Sequence, residues 1–220
     1  MERNKILFII GSVVTMFLLL YGAYYATSKP AQTFFENLTT TKSSDHIKWS
    51  SQKKLLLYEF SDFQCPACGA YYEMVKSFQN DPANKDILDK VTFVYRNFPL
   101  DQAHPNARDA AHAAEAAARQ NAFYPYHDVL FETQTEWSET GDPYPLFEKY
   151  ATDLKLDIAQ FKADYSSDAV KEKVQNDYLS GIEVDVQGTP SFYLNGNKLR
   201  NPQSADELKD LIQNEIQAQK

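Results

Sequence analysis

The apolar positions of this chain fall into three regimes. The first is continuous. Ile6 to Ala26 carries no charge, and a helix of about twenty apolar residues spans a bilayer's hydrocarbon core. The second is strand-like. Leu55-Leu56-Leu57-Tyr58-Glu59-Phe60 reads as a buried strand, and Val91-Thr92-Phe93-Val94-Tyr95, β-branched and aromatic, reads as another. Between them Pro66 suits the first turn of a helix, where N–H groups lack partners anyway. Tyr71, Tyr72, Met74, Val75 and Phe78 then mark one helical face, and Asn80-Asp81-Pro82 ends it. Strand, helix, strand predicts a βαβ unit with a right-handed crossover.

From Asn106 to Gly181 only helical periodicity is found. An alanine-rich stretch, Ala107 to Arg119, permits close helix packing. Further helices are predicted around Tyr126–Phe131, Leu146–Tyr150, Ile158–Tyr165 and Ala169–Leu179, with a turn at Thr140-Gly141-Asp142-Pro143. The β pattern then returns in Ser191-Phe192-Tyr193-Leu194. Asn195-Gly196 is a two-residue hairpin signal that sends Asn197–Arg200 back along that strand. Ser204 with Glu207 forms a capping box for a last helix whose buried face is Leu208, Leu211, Ile212 and Ile216.

The predicted organisation is a cytoplasmic N-terminus over residues 1–5, a transmembrane anchor or signal over 6–26, and a flexible tether over 27–50. One domain follows in three parts: 51–102, a helical insertion over 103–181, and 182–220. Arg3 and Lys5 before the apolar run place the rest of the chain outside the cytoplasm. The run is long for a signal peptide, and Tyr24-Tyr25-Ala26-Thr27-Ser28 is a poor cleavage site, so an uncleaved single-pass anchor in the cell membrane is expected. Thr39-Thr40-Thr41-Lys42-Ser43-Ser44 has no apolar period, which is the basis of the tether. The net charge of −8 and the lack of any basic block exclude nucleic acid as a partner.

The chemistry concentrates at Cys65-Pro66-Ala67-Cys68, which holds both cysteines of the chain. Such a pair either exchanges a disulfide or holds a metal. A purely structural disulfide would close too short a loop to restrict the unfolded chain. Following a strand and opening a helix, the Cys65 sulfur faces unpaired N–H groups and the positive end of the helix dipole, which stabilise a thiolate. Cys65 is therefore the attacking sulfur and Cys68, one turn on, the resolving one. Glu59 lies in the middle of an apolar strand, where burial raises a carboxyl pKa and suits it to proton transfer with Cys68. Gly188-Thr189-Pro190 precedes the returning strand. A cis Thr189–Pro190 bond there would set a backbone edge beside the cysteines, ready to pair with an extended peptide.

Glu-Phe-x-Asp-Phe before Cys-Pro-Ala-Cys, a helical insert, and Gly-Thr-Pro before a hairpin together resemble the DsbA-like thioredoxin family, and within it the membrane-anchored, BdbD-type bacterial thiol-disulfide oxidoreductases. Tyr95–Leu100, His104–Ala107 and His127–Phe131 add to the likeness, which covers Leu55 to Ile216. The resemblance implies an α/β thioredoxin-like sandwich with a helical insertion. It implies a redox-active Cys65–Cys68 disulfide, Glu59 as the buried acid, and Thr189 with a cis Pro190, together with Pro66 and Ala67, at the substrate-binding edge. It further implies disulfide donation to reduced, exported proteins and reoxidation by a quinone-linked membrane partner. From the residues themselves no cofactor and no metal ligand set is expected, and the binding of a structural cation stays open. Many family members carry histidine between the cysteines. Here Ala67 stands there, so Cys65 lacks a cationic neighbour and the direction of exchange, oxidase against isomerase or reductase, stays open.

His46, His104, His112 and His127 show no ligand spacing and read as surface or packing residues. Asp101, Asp109, Glu139 and Asp142 show no calcium-loop spacing and read as solvated carboxylates. Phe123, Tyr124, Tyr126, Phe131 and Trp137 read as core. Two other functions fit the cysteine pair. One is a membrane-tethered Cu(I) carrier, which needs a third ligand such as Met74. The other is a redox-linked peptide-binding chaperone.

Overall fold

The computed structural model describes residues 2–27 and 33–218. They form two units, Met1–Thr33 and Phe34–Lys220. Among the described residues the first unit contains one helix, α1 (Glu2–Thr27), with side chains described from Leu7 to Ala23. Leu7, Phe8, Phe17, Leu18 and Leu19 on it are exposed. Among the described residues no helix is long and apolar enough to cross a membrane. The ends of the run expected to do so lie outside the described side chains.

The second unit is a five-stranded sheet with helices on both faces. Its strands are β1 (His46–Trp49), β2 (Leu55–Ser61), β3 (Val91–Asn97), β4 (Ser191–Leu194) and β5 (Asn197–Lys198), in the order β1-β3-β2-β4-β5. β2 and β3 are parallel and every other pair is antiparallel. All residues of β2 and β3 are buried, as expected for central strands covered on both sides. α2 (Pro66–Asn80) and the short α3 (Lys85–Leu88) make the crossover. The insertion contains α4 (Ala107–Ala118), α5 (Phe123–Glu132), the single turn α6 (Gln134–Trp137), α7 (Tyr144–Asp153), α8 (Ile158–Ser166) and α9 (Asp168–Glu183). α10 (Ala205–Ala218) closes the chain.

Alternation along β2 sorts the core into two parts. Leu55 and Leu57 face the large cluster that holds Phe63, Phe78, Tyr95, the α4 alanines, Leu208 and Ile212. Leu56, Tyr58 and Phe60 face the smaller one with Phe98, Val184, Val186 and Tyr193. Asn195 and Gly196 both have positive φ, 49° and 83°, the geometry of a tight two-residue hairpin. The last helix begins with half of the expected capping box. Glu207 N donates to Ser204 Oγ at 3.1 Å, but the Glu207 carboxylate turns back to Gln203 N, at 2.7 Å, rather than to Ser204.

The tether expected over 27–50 is corrected from Phe34 onward. Phe34 bridges to Asn197, Leu38 is fully buried, and β1 pairs with β3 as an edge strand. A buried ion pair joins this polar segment to the sheet. Asp45 meets Arg96 of β3 in two hydrogen bonds, 2.9 and 3.0 Å, with both side chains buried. Burial alone would raise the Asp45 pKa, but Arg96 overrides it and the net shift is downward. Residues 28–32 of the expected tether lie outside the described residues.

Candidate active site

The position of Cys65 is set by Asp62, the aspartate of the Glu-Phe-x-Asp-Phe motif, whose role the sequence does not declare. Asp62 is 1% exposed. Its Oδ1 accepts from Gln64 N at 2.7 Å and from Cys65 N at 3.2 Å, an Asx turn that breaks the chain between β2 and α2. Its Oδ2 accepts from Leu100 N and meets His104 Nδ1, both at 2.8 Å. The insertion grips the same loop. Gln134 Nε2 donates to Phe63 O at 2.7 Å and to Cys65 O at 3.0 Å. Gln64 joins Ser138 O and Asn106 N, at 2.6 and 2.7 Å. Gly69 leaves room for this clamp, since a Cβ there would sit 2.7 Å from Gln134 Oε1. His104 and Asn106 lie in the His-Pro-Asn-Ala segment, so the resemblance marked the stretch but not its job of anchoring the cysteine loop.

Cys65 is extended (φ −67°, ψ 121°) and α2 begins at Pro66, so the sulfur stands at the mouth of the helix. Both cysteines are buried free thiols here. The Cys65 pKa is lowered to about 5. The largest cause is a hydrogen bond from the Cys68 thiol. Burial opposes it, while the Cys68 and Ala67 amides and the Thr189 hydroxyl add to it. The amides at the helix mouth thus act on the sulfur together with the partner thiol. Cys68 goes the other way. It is fully buried, and burial together with the Cys65 sulfur pushes its pKa up. Asp62 N also reaches Cys68 Sγ, at 3.4 Å.

The Thr189–Pro190 peptide bond is cis. The Thr189 carbonyl oxygen lies 3.6 Å from Cys65 Sγ, and Thr189 Oγ1 is buried. Pro66 and Ala67 are exposed beside the buried sulfur. Glu59 lies on the cysteine face of β2, 3% exposed, opposite Tyr95 of β3. Burial raises its pKa to about 7, against the opposing pull of the Ser61 hydroxyl and Lys48. It borders a cavity of about 180 Å³ lined also by Lys48, Lys76, His127 and Asp128. His127 is buried in this wall, and burial lowers its pKa although Asp128 pairs with it at 2.8 Å. Neither cysteine sulfur is a direct hydrogen-bond partner of Glu59.

The other sequence candidates have structural places. His46 pairs with Glu115 at 2.8 Å, and Phe123 stacks on its ring. Asp101 pairs with Arg108. Met74 packs against the large core cluster. Among the described residues no group of three or more His, Cys, Asp and Glu is placed to hold a metal ion.

The family profile described as Thioredoxin matches residues 41–214, spanning both halves of the sheet, the cysteine loop and the insertion. The chain belongs to the thioredoxin family. Within that family its fold is DsbA-like. Oxidised BdbD from Bacillus subtilis superposes with a TM-score of 0.68 at 22% identity, covering 84% of this chain and 98% of that one. A thioredoxin-like oxidoreductase from Silicibacter pomeroyi DSS-3 gives 0.67 at 20% identity, covering 83% and 97%. At these identities the likeness is one of fold. In sequence, 168 residues are 35% identical to the Na(+)/H(+) antiporter NhaA 1 of Mycobacterium sp. (strain KMS), 74% of this thioredoxin-family chain but 25% of that protein. The chain thus spans about a quarter of the length of the curated relatives it matches.

Proposed function

We propose that this chain is a thiol-disulfide oxidoreductase acting on exported proteins, with Cys65 as the exchanging sulfur and Cys68 as the resolving one. The observation that carries the reading is the asymmetry of the pair: one thiol ionises near pH 5 and its neighbour keeps its proton. In the oxidising direction a substrate thiolate attacks Cys65 of the Cys65–Cys68 disulfide. Cys68 leaves as a thiolate and takes up a proton. A second substrate thiolate then attacks the mixed disulfide, the substrate disulfide forms, and Cys65 leaves as the stabilised thiolate. A low pKa makes Cys65 a good leaving group in that last step, which favours oxidation of substrate. The Ala67 position therefore does not preclude an oxidase, because Cys68, the amides and Thr189 supply the stabilisation.

Glu59 donates the proton that Cys68 needs. Its pKa near 7 suits it to work in both directions at neutral pH. The bordering cavity is large enough to hold water, which needs about 10–15 Å³, and so connects the acid to bulk protons. The Thr189–Pro190 edge, with the exposed Pro66 and Ala67, receives the substrate backbone. A membrane-bound, quinone-linked partner reoxidises the pair. The domain works outside the cytoplasm, held by α1. Twenty-six helical residues extend about 39 Å at ~1.5 Å each, and Ile6–Ala26 bears no charge.

The test is oxidation of a reduced protein in glutathione buffer. Wild type accelerates disulfide formation, Cys65→Ser abolishes it, and Cys68→Ser accumulates covalent enzyme–substrate adducts visible by mass spectrometry. Wild-type rates in either variant would refute the mechanism. Extraction of the full chain with alkaline carbonate tests the anchor: retention in the membrane pellet supports it and release contradicts it.

A further inference from the structure

No cysteine is among the groups that shift the Glu59 carboxyl, so a proton moving between it and Cys68 needs a go-between. Two buried hydroxyls on the neighbouring central strands, Ser61 Oγ and Tyr95 Oη, make no hydrogen bond of ordinary geometry, and neither does Thr189 Oγ1 beside Cys65. A buried hydroxyl left unpaired is costly, so each asks for an explanation. Ser61 ends β2 two residues after Glu59, on the same face of the sheet, and is 1% exposed. The peptide that follows it donates its Asp62 N–H to Cys68 Sγ at 3.4 Å. Ser61 thus shares a strand face with the acid and adjoins the peptide that meets the sulfur. A serine hydroxyl can accept one proton while donating another, and an uncommitted one is free to turn.

We propose that Ser61 is a catalytic residue of this exchange, its hydroxyl relaying the proton between Glu59 and Cys68. The proposal rests on the exchange chemistry proposed above and names the missing link in it. In the reducing direction the Cys68 S–H proton passes to Ser61 Oγ as the Ser61 proton passes to the Glu59 carboxylate. The Cys68 thiolate then attacks Cys65 Sγ of a mixed disulfide. The Cys65–Cys68 bond forms, the bond to the departing thiol breaks, and that thiolate takes a proton from solvent. In the oxidising direction the proton runs from Glu59 through Ser61 to Cys68. The Ser61 hydroxyl also favours the ionised forms of Glu59, Cys68 and Tyr95, as a group poised among all three would.

The test follows a single resolving step. Reduced full-length protein is mixed with excess glutathione disulfide, quenched in acid at millisecond intervals, and the Cys65–glutathione adduct is counted by mass spectrometry from pH 5 to 10. The groups facing Glu59 that could contribute their own limb are Lys48 from β1, Tyr72 and Lys76 from α2, Tyr95 from β3, and His127 and Asp128 from α5. Four proteins are therefore compared. In wild type the decay of the adduct rises through a limb near pH 7 set by Glu59, and Glu59→Gln removes that limb. Ser61→Ala is expected to slow decay at least tenfold at pH 8, part of the 10²–10⁴-fold typical of general acid–base catalysis. It also removes the limb, while the alkylation pKa of Cys65 stays unchanged. Tyr95→Phe keeps the limb. If Ser61→Ala keeps the wild-type rate and limb while Glu59→Gln loses the limb, the acid stands and the serine link is refuted. If Ser61→Ala is slow but keeps the limb, its effect is structural and the relay is refuted. If Tyr95→Phe alone removes the limb, the tyrosine is the link and the proposal fails. If Glu59→Gln keeps the limb, the acid itself is wrongly assigned.

Discussion

Glu59→Gln is expected to stabilise the reduced protein above pH 7 and to leave it unchanged near pH 4. The magnitude follows from burial. The carboxyl titrates near 4.5 when exposed and about 7 in the fold. A shift of about 2.5 units is worth roughly 3 kcal/mol between the two protonation states. The sign is set by where the proton is held more tightly. Below pH 4.5 both states carry it, and Glu59 makes no difference to stability. Between about pH 4.5 and 7 the unfolded chain loses its proton while the folded one keeps it, so the fold weakens progressively. Above about pH 7 the full penalty of a buried carboxylate applies. Glutamine keeps the shape and removes the titration. Urea unfolding of both proteins with a reductant present, from pH 4 to 8.5, reads the difference as a change in midpoint at constant m. The two stability curves should meet near pH 4 and separate by roughly 3 kcal/mol at pH 8. Parallel curves would mean that Glu59 titrates as an exposed acid, and its role as proton carrier would fall with its burial.

Two further perturbations test the framework around the site. Asp45→Asn leaves the Arg96 guanidinium buried without its counter-charge and is expected to cost roughly 3–5 kcal/mol in urea unfolding at pH 7. Because Arg96 holds the Asp45 pKa below its exposed value, that cost should shrink as pH falls through the acid range. Gly181→Ala places a methyl group 2.4 Å from Phe98 Cδ2 and 3.1 Å from Phe60 Cδ1. Overpacking of this kind costs about 1–3 kcal/mol, which a lowered urea midpoint would register.

The central strands, the crossover helix, the Asn-Gly hairpin and the cysteine pair were legible because each is a local pattern. Leu55–Phe60 and Val91–Tyr95 declare themselves by composition, and Asn195-Gly196 by the positive φ it supplies. β1 was not legible. His46-Ile47-Lys48-Trp49 is four residues of mixed polarity at a sheet edge, and it docks through Asp45 and Arg96, 51 positions apart. Comparably long separations in sequence hid the supports of the cysteine loop. Asp62 and His104 are separated by 42 positions, and Gln134 and Phe63 by 71. Glu59 could be read because a lone acid in an apolar run is conspicuous. Ser61 could not, since a serine at a strand end is unremarkable until its hydroxyl is seen buried beside an acid and a thiol. The part that Cys68 plays in the Cys65 shift was equally out of reach. The sequence supplies the helix mouth, but only the fold turns the Cys68 thiol toward the neighbouring sulfur.

The central claim is that Cys65 is a thiolate at neutral pH. Alkylation of the reduced protein by iodoacetamide, followed at each cysteine by peptide mass spectrometry from pH 4 to 10, measures it directly. The account predicts a rate midpoint near pH 5 for Cys65, no comparable reaction at Cys68, and a higher Cys65 midpoint in Cys68→Ala. A Cys65 midpoint at about 8.5, that of a free cysteine, would contradict it.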